Sequence, residues 1–535
     1  MTDINIQDLS AWDNVAPRTY TGRVLCFPFN ENARKRQSES AQSVLNLLRK
    51  SLDALAYKRP DFAGKLQLGT NLTAEEKQSV TKYRDGHVYL LTSSDYTIYL
   101  RPKCPKELEP LYYGVTATNG TETVKMKGIN FDRRFIEYDA LKEAKFPAKP
   151  FINEDLTTDL TLEQGQPPIP VVEVEVVFLK GGFFFNLLIH HTYFDGKAYH
   201  MFLEYFAACT RGRKFPQFST SPMARLPYEF PQTSLAGVRF EDVLPLCSEF
   251  QLSYDFKGPT QPIMPPIPYS DRPRNDTKIF VFSFSKLKTL SIELAQINPR
   301  APAPSAYTTL SALLWAHTLA AREAMLSDPN CDPSERAFHA HFFSRPPFFS
   351  TPVDWSSTKL LQKYPYMQGY VHNYFGNTVT WATLGLRDAS LLRDIATSGN
   401  KTALACIASA ITNQIAKVNP EYLYTREALF DKVPDMRLLG LTWDPRMPAE
   451  WGMNSWADFG SDIEWLLPCV ARGNKTLADA QRRVQKEVGG SGGLILPAQK
   501  ARPENWECQV SLPEGAMRAL ERDEVFRGYW EEVIG

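Results

Sequence analysis

The chain has 535 residues, which is too long for one compact core, so two lobes of roughly 200–260 residues are expected. Hydrophobic residues make up 43% of the chain and charged residues 22%, a composition that argues against disorder over most of its length. The 60 basic and 60 acidic residues balance, and this argues against a nucleic acid or an anionic membrane as partner.

Neither a membrane span nor secretion is predicted. The most apolar stretch, residues 171–189, is interrupted by Glu173, Glu175 and Lys180 and falls short of the ~18 uninterrupted apolar residues that a span needs. The acidic, polar first residues do not have the pattern of a secretory signal. The eight cysteines form no CxxC pair, so we expect reduced thiols in a cytoplasmic protein and no zinc site built from cysteines.

The N-terminal part alternates between strand and helix patterns. Apolar residues recur at helical spacing between Val44 and Leu55, which predicts an amphipathic helix that Pro60 ends. Short apolar runs predict strands at residues 23–29, 87–91 and 96–100.

The clearest local pattern is a β-hairpin that ends at His190 and His191. Valine and glutamate alternate over residues 172–176, which predicts a strand with one buried face. Two glycines at 181–182 signal a tight turn, and the return strand is apolar on both faces, as expected for a central strand. A helix is predicted directly afterwards, over residues 196–211.

Prolines indicate the boundary between the two lobes. Eleven of the 39 prolines fall between Phe215 and Arg274, and a regular helix or central strand cannot continue through such a segment. We therefore predict an N-terminal lobe over residues 1–215, a proline-rich crossover over 216–275 and a C-terminal lobe over 276–535. The alternative is an irregular cap that belongs to one lobe.

The C-terminal part returns to a mixed α/β pattern, and the chain is predicted to end in a helix. Its basic residues Arg472, Lys475, Arg482 and Arg483 fit either the solvated face of a helix or a patch for the phosphates of a cofactor. Strands are predicted at 278–284, 377–381, 494–497 and 507–512, and helices at 305–326 and 388–418.

The strongest chemical signal is HHTYFDG, residues 190–196, an HHxxxDG pattern. With eight histidines in the chain, HxxxDG arises by chance only about 0.03 times, and the second histidine lowers that number further. The motif lies between a predicted strand and a predicted helix, where a rigid sheet can orient functional side chains. His339 and His341 form an HxH pair, but no cluster of carboxylates or cysteines supports a metal site.

Histidine suits this position because its ordinary pKa of about 6.5 leaves it neutral and basic at cellular pH. Such a group can accept a proton from an alcohol, a step worth about 10²–10⁴ in rate. Adjacent strand residues point to opposite faces, so only one of His190 and His191 can point into a given cleft. We take His191 as the general base and His190 as structural. Asp195 either holds the imidazole directly or pins the loop through a cation, with Gly196 relaxing the turn, and we favour the second role.

Motifs along most of the chain resemble the BAHD acyltransferases, most closely their fungal trichothecene 3-O-acetyltransferase-like branch. Each motif alone is weak, and the argument rests on their order along the chain. Beside HHTYFDG, the resemblance is carried by Arg59–Gly64, Thr308–Trp315 with Ala321-Arg322, Tyr374–Asn377, Asn454–Trp456 and Pro468–Arg472.

The resemblance implies an α/β fold like that of chloramphenicol acetyltransferase, with two similar mixed-sheet lobes and an active-site tunnel between them. It implies direct transfer of an acyl group, most simply acetyl, from acyl-CoA as co-substrate to a hydroxyl of a specialised metabolite. It further implies a catalytic role for His191 and Asp195 and a structural role for Gly196, His190 and Asn377. We expect a monomer that has no permanently bound cofactor and no metal ion, and that binds neither nucleic acid nor membrane.

Two departures from the family pattern stand out. The family signature D-F-G-W-G is degraded: a literal D-F-G at 458–460 follows Trp456 too closely, and Ile463–Leu466 stands at the expected spacing. Where the family often has V-D-x-R, this chain has Val353–Ser356, so the arginine expected to anchor Asp195 is missing. Arg345 and Lys359 are the candidates to replace that arginine.

Two other functions fit the same motif. Condensation-type enzymes also use HHxxxDG and take their acyl group from a carrier protein, but no carrier or adenylation module is visible in this chain. A non-catalytic binding protein on the same scaffold fits the degraded signature but not the intact HxxxDG. Turnover with acyl-CoA alone separates these possibilities, and the aromatic content of 12% is compatible with an apolar acceptor pocket.

Overall fold

Helices and strands alternate along the described part of the chain. The computed structural model of the protein describes residues 4–80, 83–213, 235, 237–252, 275–331, 333, 336–337, 346–357, 374–443, 447–460, 462–470, 476–486, 491–499 and 502–535. Strands β1 to β21 are Asn5–Asp8, Tyr20–Pro28, Lys65–Leu68, Val88–Thr92, Tyr99–Pro105, Thr116–Asn119, Glu122–Lys125, Lys127–Ile129, Ile169–Pro170, Val172–Leu179, Gly182–His190, Phe250–Leu252, Asn275–Ser283, Phe348–Asp354, Val379–Gly385, Leu439–Leu441, Glu450–Ser455, Ala480–Val484, Gly492–Leu496, Asn505–Pro513 and Glu532–Ile534. Helices α1 to α14 are Ala11–Val15, Glu31–Lys35, Gln37–Lys58, Ala74–Ser79, Tyr138–Glu143, Gly196–Thr210, Phe240–Val243, Phe284–Ile297, Ala306–Ser327, Ser390–Ser398, Lys401–Ala416, Pro420–Lys432, Glu514–Arg522 and Glu524–Arg527.

The two largest sheets form the frames of two lobes. The N-terminal sheet has the strand order β18-β2-β11-β10-β5-β8, and the C-terminal sheet has the order β15-β14-β17-β19-β20-β13-β21. Both contain parallel and antiparallel neighbours, for example β10 beside β5 and β11, and β14 beside β17 and β15. Helices α3 and α6 pack on the first core, and α9, α10, α11 and α13 on the second. The predicted α/β fold of two mixed-sheet lobes is confirmed.

The central hairpin is buried more completely than its alternating pattern predicts. Gly181, with a φ of 89°, forms the turn between β10 and β11. The prediction of a single buried face is wrong, because Glu173 and Glu175 are also buried. The parallel neighbour β5 supplies their partners: Arg101 lies 2.8 Å from Glu173, and Lys103 lies 2.5 Å from Glu175. Paired carboxylates can be buried where isolated ones cannot.

Late segments of the chain are built into the N-terminal lobe. Strand β18, with Arg482 and Arg483, pairs antiparallel with β2, so these residues do not form the helix face considered above. Trp465 is fully buried in the N-terminal core, with its ring 5.4 Å from the rings of Phe185 and Phe206. The segment at the expected place of the degraded signature therefore packs against the opposite lobe.

Other elements follow the predicted pattern with shifted ends. The predicted helix over 388–418 is divided into α10 and α11 at Gly399, which has a left-handed φ of 63°. The chain ends in strand β21, which pairs with β13, rather than in a helix.

Most of the predicted crossover lies outside the described residues. Within the described ranges, no helix combines the length and apolar character that a lipid bilayer requires.

A buried ion pair connects β18 in one sheet to β20 in the other. Arg482 lies 2.9 Å from Glu507, the two side chains are 0% and 1% exposed, and Arg502 also approaches Glu507 at 2.8 Å. Glu507→Ala leaves the Arg482 guanidinium buried without this partner, and we expect the free energy of unfolding to fall by about 3–5 kcal/mol. Urea denaturation, monitored by tryptophan fluorescence, measures this change in the free energy of unfolding.

The matched control is Glu514→Ala, which removes an exposed carboxylate 2.8 Å from Arg518. Exposed pairs of this kind contribute little, so we expect a change of less than about 0.5 kcal/mol. Equal effects of the two substitutions would show that the buried pair does not hold the two sheets together.

Candidate active site

A cavity of about 450 Å³ lies between the lobes. Its wall combines residues of the N-terminal sheet and of the HHxxxDG motif with residues of β15, β17 and β19 of the C-terminal sheet. The volume is in the range of small-molecule sites. Large aromatic side chains form much of the surface: Trp12, Tyr20, Phe250, Trp381, Trp443 and Trp456.

His191 lines this cavity. It follows the last residue of β11, and its backbone N–H donates to the carbonyl of Thr19 at 2.8 Å, which continues the pairing with the chain before β2. Its ring Nδ1 is enclosed and without a partner among the described residues, which leaves Nε2 as the ring nitrogen that can face the cavity. Burial lowers the pKa of His191, so the ring is held in the neutral form that accepts a proton.

His190 points away from the cavity into the protein. It is fully buried, its ring lies edge-on to Tyr20 at 4.9 Å, and its Nδ1 accepts a hydrogen bond from the backbone N–H of Thr192 at 3.3 Å. Burial, with smaller contributions from the charges of His191 and Arg18, lowers the pKa of His190 to about 3. This ring therefore stays neutral and packs beneath the loop that follows β11.

Asp195 is the N-cap of helix α6. One carboxylate oxygen accepts from the N–H of Ala198 at 2.8 Å, and the other accepts from the N–H and the hydroxyl of Thr378 at 2.9 and 3.0 Å. The expected anchoring cation is absent from Asp195 among the described residues, and no hydrogen bond joins Asp195 to the His191 ring there. Arg345 and Lys359 lie outside the described residues. The N–H of Ala198 at the start of α6, together with the N–H and hydroxyl of Thr378, does the anchoring that the sequence assigned to a cation.

A second carboxylate shares the same threonine. The Thr378 hydroxyl lies 3.0 Å from Asp195 and 3.0 Å from Asp354, yet one hydroxyl has a single proton to donate. Burial raises the pKa of Asp195 to about 6, and the charge of Asp354 is the second-largest cause of this shift. At the position of the missing family arginine, Ser356 accepts a hydrogen bond from Lys197 at 2.9 Å, so a lysine of α6 reaches this loop instead.

Gly196 is required for space rather than for turn geometry. Its φ is not in the left-handed region, but a Cβ at this position would lie 2.7 Å from the ring of Phe459. Phe459 belongs to the literal D-F-G sequence, and its ring also stacks on His200 at 5.9 Å. The glycine of HHxxxDG and the displaced D-F-G thus form one contact between the lobes.

Asn377 holds the loop from the C-terminal side. Its side-chain amide donates to the carbonyl of His191 at 2.9 Å and to that of Thr192 at 3.2 Å. Asp13, fully buried in helix α1, accepts from the Asn377 N–H at 2.8 Å and from the Tyr374 hydroxyl at 2.9 Å. The sequence reasoning missed Asp13, although the Ser10-x-x-Asp13 capping pattern was visible.

The early motif Arg59–Gly64 contacts the HHxxxDG loop through Asp61. Arg59 and Asp61 form a buried ion pair, and the hydroxyl of Tyr193 donates to Asp61 at 2.7 Å. The HxH histidines, Arg472 and Lys475 lie outside the described residues. Within the described part of the chain, no group of three or more potential metal ligands occurs.

Comparison with known proteins agrees with this architecture. The model of the Transferase family, the BAHD acyltransferases, matches residues 139–332, which include HHTYFDG. No protein with a curated description matches the sequence.

Two of the similar solved structures that cover nearly the whole chain illustrate this fold. TRI101 of F. sporotrichioides, complexed with coenzyme A and T-2, is 17% identical, covers 99% of this chain and 100% of its own, and has a TM-score of 0.63. TRI101 of F. graminearum, complexed with coenzyme A and deoxynivalenol, is 16% identical with the same coverage and a TM-score of 0.66. At this identity the likeness shows the fold.

The raised pKa of Asp195 predicts a pH-dependent stability. A carboxyl that binds its proton more tightly in the folded chain contributes stability at low pH that is lost as the pH rises through its folded pKa, here about 6. Asp195→Asn cannot ionise. We expect the free energy of unfolding of the wild type, minus that of the variant, to fall by up to about 3 kcal/mol between pH 4 and pH 7.

Urea denaturation at several pH values measures this difference. Asp394→Asn, at an exposed position of α10, is the control and should show no such trend. A difference between wild type and Asp195→Asn that does not change with pH would contradict the carboxylate arrangement described here.

Proposed function

We propose that the protein is a coenzyme A-dependent O-acyltransferase that moves an acyl group, most simply acetyl, onto a hydroxyl of a specialised metabolite. The observation that carries the proposal is the position of His191, with a neutral ring, in a cavity between the two lobes. The shared fold supports it, since the TRI101 proteins are known in complex with coenzyme A and with T-2 or deoxynivalenol.

In this mechanism the acceptor hydroxyl donates its proton to Nε2 of His191 while its oxygen attacks the thioester carbonyl. The tetrahedral intermediate collapses, the carbon–sulfur bond breaks, and the imidazolium returns the proton to the departing coenzyme A thiolate. The protein thus forms no covalent acyl intermediate. Acyl-CoA is a co-substrate, and these steps require no permanently bound cofactor or metal ion.

The surrounding residues act by positioning the base. Asn377 holds the carbonyl of His191, and Asp195 fixes the start of α6 and the approach of Thr378. A base that is rigidly placed near the reacting hydroxyl avoids the entropic cost of reaching that geometry during the reaction. His190 and Gly196 help to fix the same loop conformation through their packing contacts.

The cavity wall favours a largely apolar acceptor. Its aromatic side chains can cover the rings of a terpenoid, polyketide or alkaloid alcohol, while the hydroxyl reaches His191. We further propose that the protein works as a monomer in the cytoplasm. All eight cysteines lack disulfide partners, as suits a reducing compartment.

Removal of the base tests the assignment of His191. We expect His191→Ala to lower kcat by about 10²–10⁴ or more, because proton transfer loses its acceptor, with little change in melting temperature. His190→Ala removes a buried ring and should lower stability more than it lowers kcat. Steady-state release of the coenzyme A thiol and thermal denaturation measure the two effects. An inactive His190→Ala beside a fully active His191→Ala would reverse the assignment.

The donor test separates the proposal from its alternatives. Acetyl-, malonyl- and longer acyl-CoAs are incubated with a metabolite panel and the products identified by mass spectrometry. We expect product without a carrier protein and sequential kinetics. An acyl adduct on the intact protein with donor alone would contradict direct transfer. A strict requirement for an acylated carrier protein would indicate a condensation-type enzyme, and binding without turnover a non-catalytic protein.

A further inference from the structure

The cavity that contains His191 also contains an arginine that forms no ion pair with any described residue. Arg483 lines the cavity and remains accessible there. Neither a hydrogen bond nor an ion pair joins its guanidinium to any residue in the described part of the chain, in contrast to the neighbouring Arg482. A positively charged group with unused donors in the reaction chamber needs a physical explanation.

The strand pairing explains why the two neighbouring arginines differ. In β18 successive side chains point to opposite faces. Arg482 faces the interior, where it pairs with Glu507, and Arg483 faces the cavity. Register places Arg483 directly opposite Arg23 of β2, so both arginines lie on the cavity side of the N-terminal sheet.

Arg23 adds a second positive charge to the same wall. Its guanidinium lies 4.4 Å from the ring centres of both Tyr199 and Trp456, and its Nη1 donates to the carbonyl of Phe459 at 3.0 Å. It is 1% exposed, and its Nε and Nη2 have no hydrogen-bond partner among the residues that the structure describes. Two aromatic faces therefore fix Arg23 behind the cavity surface, while Arg483 is the cation that a ligand can touch.

The position of these charges in the cavity gives them a preference for an anion. Burial lowers the pKa of Arg23 to about 10 and also lowers that of Arg483, although the Arg483 side chain is still reached by solvent from the cavity. A guanidinium presents a planar fork of N–H donors that matches a carboxylate through two parallel hydrogen bonds. A bound carboxylate would satisfy donors that the chain leaves unused.

The location of Arg483 indicates which molecule carries that anion. Arg483 and His191 line the same cavity, and the charge of Arg483 lowers the pKa of the His191 ring further. In acyl-CoA the pantetheine arm separates the phosphates from the thioester, so an anion beside the base belongs to the acyl group or to the acceptor. The carboxylate can therefore belong to a dicarboxylic acyl group of the donor or to a hydroxy acid that serves as acceptor.

We propose that Arg483 binds a carboxylate of a substrate in the catalytic cavity, with Arg23 as a supporting positive charge, and so selects acidic substrates. The proposal deepens the proposed function and rests on it. Arg483 is a specificity residue in this account, because it contacts the substrate away from the hydroxyl that reacts.

Calorimetric binding tests the proposal without requiring turnover. In the donor arm, malonyl-CoA is compared with acetyl-CoA; in the acceptor arm, hydroxy acids are compared with their methyl esters in the presence of coenzyme A. Wild type, Arg483→Met and Arg483→Lys are titrated. Lys486→Met is the control, because it removes a positive charge that interacts with Asp159 on the surface, outside the cavity.

We expect the wild type to prefer the acidic member in one arm, and Arg483→Met to weaken binding of that member by about 30-fold or more. The neutral member should bind both proteins equally. Arg483→Lys should keep part of the preference because it keeps the charge without the fork. Lys486→Met should resemble the wild type. The arm in which the preference is lost identifies the acyl group or the acceptor as the source.

Three results would overturn the proposal: no preference in the wild type in either arm, a preference that persists in Arg483→Met, or equal weakening of the acidic and the neutral member. The last result would indicate a role toward coenzyme A as a whole. Absence of product with every donor would instead refute the proposed acyl transfer, while the binding comparison would still decide the role of Arg483.

Discussion

The junction at the end of β11 holds the rest of the site in place. The loop that leaves this strand is bound from the other lobe by the side chain of Asn377 and by the N–H and hydroxyl of Thr378. These groups are buried, so breaking one of the bonds leaves an unsatisfied polar group without access to water. The position of His191, the start of α6 and the closure of the cavity all depend on this set of bonds.

Charge is distributed unequally around that junction. On one side, Asp195 and Asp354 share one threonine hydroxyl, and Asp195 is anchored by neutral donors. On the other side of the same cavity, neither Arg23 nor Arg483 pairs with a carboxylate among the described residues. The two aspartates accept hydrogen bonds from the protein, whereas the Arg483 guanidinium has unused donors, an arrangement that favours an anionic ligand beside Arg483.

The two lobes are joined by segments that the degraded signature made difficult to interpret. Phe459 packs against the backbone of Gly196, Trp465 lies among aromatic rings of the N-terminal core, and β18 extends the N-terminal sheet. The degenerate signature residues thus still serve lobe closure, through different side chains from those in the family pattern. The same segments place Arg483 in the cavity, which links closure of the lobes to the composition of the site.

The sequence by itself determined the features that depend on neighbours along the chain. Periodicity predicted the long helix before Pro60 and the central hairpin, and the HHxxxDG pattern predicted His191 and its loop, because a strand end and a helix start are local signals. Tertiary structure alone decided what each buried charge contacts. Glu173 pairs with a residue of another strand, Asp195 is bonded by Thr378 from far along the chain, and Arg483 has no partner among the described residues. Alternation along one strand shows which face a residue occupies but not what lies opposite it.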